Sequence, residues 1–139
     1  MIEFKPDHYL VFELSEKSRA HLLGLFQPRF FKVIANHVTI EFNLTKEKLD
    51  RYKNTLLYPT PIVRAYGYAR GDGVECIAVA IGDNVDRQDG SFYHITLSID
   101  PPHKPVESNT LKDKVVGIRT LFRSIDSVKL EGEFKLLKK

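Results

Sequence analysis

The sequence contains one cysteine, Cys76, so no disulfide can form within the chain. No cysteine–histidine grouping has the spacing of a zinc site. Cys76 lies in the apolar run Val74 to Ile81, where a small buried hydrophobe is expected. No apolar stretch reaches the roughly 18 residues that a membrane-spanning helix needs. The opening MIEFKPDHYL lacks the apolar core of a signal peptide. Gly71-Asp72-Gly73 is not followed by Gly-Lys-Ser/Thr, so it reads as a turn and not as a phosphate loop. Low-complexity segments are missing as well. These absences predict a soluble, intracellular protein of the cytoplasm, with no membrane attachment and no structural metal.

What is present is ordinary in bulk. The 139 residues suit one domain, residues 1–139. Hydrophobic residues at 42% and charged residues at 28% place the chain among common globular proteins. The net charge of +3 fits an anionic substrate without demanding one, because Lys135, Lys138 and Lys139 in the tail supply much of the excess.

Hydrophobic patterning predicts an α+β layout. His8 to Glu13 reads as a first strand. Ser15 is a suitable N-cap for a helix from Glu16 to about Phe26, with Ala20, Leu22, Leu23 and Phe26 on its apolar side. Asn36 to Phe42 is a strand. Thr45 caps a second helix over Lys46 to about Leu57, stopped by Pro59 and Pro61. Ile62 to Ala69 and Val74 to Ile81 flank the Gly-Asp-Gly turn as a hairpin. Phe92 to Ile99 is a further strand, Asp100 to Thr110 a proline-bearing loop, and Ser127 to Leu136 a closing strand. Leu111 to Ile125 fits no single period.

One short pattern occurs twice. Residues 37–40 read His-Val-Thr-Ile, and residues 94–97 read His-Ile-Thr-Leu. Side chains on a strand alternate between faces. His37, Thr39 and Glu41 therefore share one face, opposite Val38, Ile40 and Phe42. His94, Thr96 and Ser98 share one face, opposite Ile95, Leu97 and Ile99. A single copy reads as an amphipathic strand with a wet side. Two matched copies in separate halves of the chain point to convergence of two imidazoles and two hydroxyls across a cleft. Phosphodiester chemistry uses such a set. One histidine takes a proton from the nucleophile, the other protonates the leaving oxygen, and the hydroxyls donate to the charged phosphoryl oxygens.

The paired His-x-Thr motif resembles the 2H phosphoesterase superfamily, named for its two His-x-Thr/Ser motifs. The resemblance rests on these two tetrapeptides. It implies a single bilobal α+β domain, with two antiparallel sheets around a central cleft, pseudo-twofold symmetry and the helices outside. It further implies His37 and His94 as the acid/base pair, Thr39 and Thr96 as phosphate-binding groups, and no metal or other cofactor. Substrates of the superfamily include 2′,3′-cyclic nucleotides at RNA ends, 2′–5′ oligoadenylates and cyclic oligonucleotide signals. The compact size, the run Tyr93 to Ser98 and the following Lys104 to Asn109 look like the small viral and RNA-repair branches. One of these is the phage anti-CBASS nucleases, which act in the host cytoplasm on cyclic oligonucleotides. Another is the cyclic phosphodiesterase module of fungal-type tRNA ligases. No obligate protein partner is evident.

Several residues are candidates for substrate contact. Tyr9, on the first strand, offers an aromatic face to a base, although a core or edge position is the favoured reading. Lys104, Ser108 and Asn109 occupy the loop leaving the second motif strand, where they can meet a phosphate. Arg64, Tyr66, Tyr68 and Arg70 alternate along the hairpin as a basic and aromatic row. Tyr93 should pack in the core, opposite His94. His8, His21 and His103 have no matching partner and read as surface residues. Two other readings compete: a nucleotide- or RNA-binding module without catalysis, and an interaction domain with coincidental motifs.

Overall fold

The computed structural model describes residues 2–139. Strand β1 (His8–Leu14) leads directly into helix α1 (Glu16–Leu25). The Ser15 hydroxyl accepts from the Ser18 amide at 3.1 Å, the N-cap that its sequence position implied. Leu22 and Ser18 are buried on this helix, and Phe26 beyond it, whereas Ala20 is exposed. Leu23 and Leu25 are partly buried against the same core, so of the expected apolar side Ala20 alone stands outside it. Strands β2 (Lys32–Val33) and β3 (His37–Glu41) follow. Helix α2 (Lys46–Tyr52) begins at Thr45, whose hydroxyl accepts from Lys48, and runs on as a π-helical turn over Lys53–Leu57.

The hairpin is β4 (Val63–Gly71) and β5 (Val74–Ile81), turning at Asp72-Gly73 with Gly73 at φ +76°. The second motif strand is β6 (His94–Ile99). Short 3₁₀ turns at Pro105–Thr110 and Lys112–Lys114 precede β7 (Val116–Gly117) and the one-turn helix α3 (Ile118–Leu121), so the aperiodic stretch is a string of short pieces. The expected closing strand is two strands, β8 (Val128–Leu130) and β9 (Gly132–Lys138). β8 pairs with β4 and β9 with β1, so the chain changes sheet at Glu131.

Among the described residues the strands form two antiparallel sheets, one ordered β3-β1-β9 and the other β2-β6-β5-β4-β7 with β8 also on β4. The architecture is thus mixed α+β and two-lobed, with one motif strand in each sheet. The faces opposite the histidines build the shared core. Val38, Ile40, Ile95 and Leu97 are fully buried, together with Leu10, Leu22, Ile77 and Val79. Each such aliphatic side chain contributes about 1.5–3 kcal/mol, which fixes strand register and thereby which face the histidines take. Tyr93 is buried in the same core.

A register shift between Ala65 and Gly67 breaks the alternation of β4. Tyr66 therefore packs against the smaller cluster around Cys76 and Phe92, while Tyr68 packs against the main core and stacks on Phe26. The row Arg64, Tyr66, Tyr68, Arg70 is not a continuous face.

Candidate active site

The segment Lys32 to Glu41 joins the two sheets. Its first part hydrogen-bonds to β6: Ile34 N–H donates to Leu97 O at 2.9 Å, and Ala35 N–H to Thr96 O at 2.8 Å. Ala35 then adopts φ +47°. From Asn36 onward the chain belongs to the other sheet, with Asn36 O accepting from Leu14 N–H and His37 opposite Glu13. The first motif is thereby anchored to the backbone of the second.

Between the lobes lies a cleft of about 540 Å³. His37, Thr39, His94 and Thr96 all line it. So do Tyr9 and Asn109 from the sequence-derived candidates, and Asn36, Phe42 and Arg87, which the sequence reading did not single out for the site. Lys104 is exposed and does not line the cleft, although the 3₁₀ turn that follows it does; its backbone N–H donates to Glu107. Ser108 does not line the cleft either. It is fully buried beneath Thr96, with the two hydroxyl oxygens 2.9 Å apart. Ser98 shares the His94 face but is sealed under Phe30, whose amide donates to its hydroxyl, and it hydrogen-bonds the buried Glu75. Glu41 accepts from Tyr52 at 2.9 Å and pairs with Lys48 at 3.6 Å, so it does not orient an imidazole.

His94 is held through Nδ1, which lies 2.8 Å from the Phe92 carbonyl oxygen. A carbonyl only accepts, so Nδ1 carries the proton and Nε2 is the basic nitrogen. Burial pushes the His94 imidazole down to about 4, partly opposed by the Phe92 hydrogen bond and reinforced by the nearby charges of Arg87 and His37. Burial also lowers His37, but the carboxylate of Glu13 pulls in the other direction. Glu13 is itself anchored by Lys135 at 2.8 Å. The two rings therefore sit in unequal electrostatic surroundings.

The cleft walls are apolar near the mouth. Tyr9 lies 5.2 Å from Phe42 and edge-on to His37 at 6.1 Å. Phe42 is 51% exposed: β3 ends at Glu41, so the alternation that would have sent Phe42 into the core stops one residue early. Val106 and Pro105 line the cleft from the loop after β6. Arg87 belongs to a turn with no periodic signature. The only hint in the sequence is its spacing to Asp89, which closes an Arg–carboxylate fork at 2.7 Å.

No family model matches this sequence, and no curated protein matches it. The fold is similar to that of a fungal RNA kinase solved by crystallography, with a TM-score of 0.54 and 14% identity over 100% of this chain. This chain spans 47% of the length of that protein. The likeness defines a class of fold, the two-lobed α+β arrangement that the paired motifs implied. No described helix is long and apolar enough to cross a membrane.

Proposed function

We propose that the cleft is the active site of a phosphodiesterase of the 2H type, acting without a metal on 2′,3′-cyclic phosphates at RNA ends. The observation that carries this reading is the convergence of His37, Thr39, His94 and Thr96 on one cleft from strands in different sheets. His94 is the base, since burial keeps it neutral and its Nδ1 is already engaged, leaving Nε2 to receive a proton. His37 is the acid, favoured by the Glu13 carboxylate. Water gives its proton to His94 as its oxygen bonds to phosphorus. The bond from phosphorus to one ribose oxygen then breaks, and that oxygen takes the proton of His37. Thr39 and Thr96 donate to the non-bridging oxygens, where charge develops. A bound phosphate anion raises both imidazole pKa values and so brings them closer to working range.

The similarity to a fungal RNA kinase favours an RNA substrate. The second reading, cleavage of cyclic oligonucleotide signals as by anti-CBASS nucleases, needs the same four side chains and draws its support from the motif resemblance and compact size. A 2′–5′ oligoadenylate is a further substrate of the same chemistry. The test is a screen of RNA 2′,3′-cyclic ends, cyclic di- and trinucleotides and 2′–5′ oligoadenylate in excess EDTA, with the product phosphate located by chromatography. Turnover survives the chelator, and His37→Ala or His94→Ala lowers it by about 10²- to 10⁴-fold while melting curves show both variants folded. A near wild-type rate in either variant overturns the assignment. Binding with no turnover of any substrate leaves the non-catalytic module as the correct reading.

A further inference from the structure

Arg87 and Asn109 lock each other in the wall of the cleft. The Arg87 side chain is 12% exposed. Its Nε donates to both carboxylate oxygens of Asp89, and its Nη2 donates to Asp89 at 2.7 Å and to Asn109 Oδ1 at 3.1 Å. An arginine has five N–H donors in a fixed fork. The one on Nε and the two on Nη2 are engaged, which leaves the two on Nη1 without a protein acceptor among the described residues. Asn109 Oδ1 also accepts from the Ser91 hydroxyl at 3.2 Å. Two donors on Oδ1 fix the flip of the amide, so its NH₂ end is the one left for the cleft. The Asp89 carboxylate, held low by Arg87 and receiving the Ser91 amide, orients the guanidinium along its Nε–Nη2 edge and leaves Nη1 open.

Thr39 and Thr96 already account for the phosphate between the two histidines. We propose that the free donors of Arg87 Nη1 and Asn109 Nδ2 form a second anion subsite that takes the neighbouring internucleotide phosphate, so that the enzyme acts on the end of an RNA strand and discriminates against a lone mononucleotide. The inference rests on the phosphodiesterase reading of the cleft. Its chemistry is specific. A phosphodiester has two non-bridging oxygens that share one negative charge, one for the Arg87 Nη1 donors and one for the adjacent amide, and both donor groups are held in place before binding. The guanidinium also gives this wall a fixed positive charge, away from the neutral His94 imidazole.

Calorimetric titration of the intact protein with three non-reacting product analogues tests this. The first is adenosine 2′-monophosphate. The second is the dinucleotide ApA with a terminal 2′-phosphate. The third is that dinucleotide with an uncharged methylphosphonate linkage. The charged dinucleotide binds the wild-type protein about tenfold to a hundredfold more tightly than the methylphosphonate, the worth of charge-assisted hydrogen bonds. Arg87→Gln removes most of that ratio. Asn109→Asp retains the Oδ1 contacts and thus the local fold, but replaces the amide donors with a carboxylate, and it reverses the preference. Melting curves confirm that both variants are folded. Equal affinity of the two dinucleotides for the wild-type protein overturns the second subsite while leaving the phosphodiesterase reading intact. A loss in Arg87→Gln that is the same for the mononucleotide also overturns it, because the arginine then serves the central phosphate. Failure of all three analogues to bind removes the phosphodiesterase reading and the subsite together.

Discussion

The amide of Ala35 donates to the carbonyl oxygen of Thr96 across 2.8 Å, and two residues later the same chain presents His37. One motif is thus tied to the other through a main-chain hydrogen bond, with a left-handed residue at the point where the chain leaves one sheet for the other. Separation of the two imidazoles does not depend on packing of distant lobes alone.

Ala35 is fully buried at φ +47°, a conformation that β-branched residues strongly resist. Ala35→Val lowers stability by about 2 kcal/mol in denaturant unfolding and depresses kcat/KM, because the crossing strand shifts. Ala35→Gly accepts the same φ, and its stability stays within about 1 kcal/mol of the wild type. Tolerance of valine at this position removes the crossing as a determinant of the site.

Ser108 sits beneath Thr96, and under the proposed function it aims the threonine hydroxyl. Thr96 Oγ1 lies 2.9 Å from Ser108 Oγ and 3.3 Å from the Pro105 carbonyl oxygen. When Ser108 donates to Thr96, the threonine proton is left to choose between that long contact and a phosphate oxygen. Ser108→Ala frees Thr96 to rotate, and kcat falls by about tenfold, with a smaller change in KM, since the donor matters most where charge develops. Cys76 also contacts Ser108, and its thiol is pushed up to about 12 by burial, so it stays neutral and takes no part. Loss confined to thermal stability, with kcat intact, assigns Ser108 a purely structural place.

The pH dependence of kcat/KM reports the ionisations of the free enzyme. In the proposed mechanism His94 serves as a base only above its value of about 4, and His37 as an acid only below its own, which burial holds under the ordinary 6.5. The profile is a bell with its alkaline limb below 6.5. The kcat profile is displaced upward, because the bound phosphate anion favours the charged imidazoles. An alkaline limb of kcat/KM above pH 7 contradicts these roles.

His94 also governs acid stability. Its imidazole titrates near 6.5 when unfolded and near 4 when folded, so between those values the unfolded chain binds more protons. Its contribution is fully present above pH 6.5 and is lost as pH falls toward 4, amounting to at most about 3 kcal/mol. His94→Asn flattens the stability profile across that window, as chemical denaturation at a series of pH values measures. An unchanged slope places the acid sensitivity elsewhere.

Much of the fold was legible because it is local. Ser15 and Thr45 announce helix starts through hydroxyls that reach amides three residues on. Val38, Ile40, Ile95 and Leu97 declare their burial by alternation. Where alternation is interrupted, the sequence misleads. The bulge at Tyr66 splits an apparent face, the end of β3 releases Phe42 to the cleft, and Glu131 divides one strand into two. Gly67 and Gly132 mark two of these places, but a glycine does not say which partner strand is met, and that is set by residues distant in the chain.

The sequence alone determined which side chains oppose the core on each motif strand, since period-two burial leaves the histidines and threonines no other face. Only the tertiary structure decided which of them meet and which other groups join them. Arg87 and Asn109 reach the cleft, Lys104 stays outside it and Ser108 goes beneath it, although all four lie outside the strands and α-helices. The reason is physical: a strand's pleat encodes direction in the chain itself, whereas a loop's direction is fixed by hydrogen bonds to residues far away in sequence, as Arg87 is by Asn109.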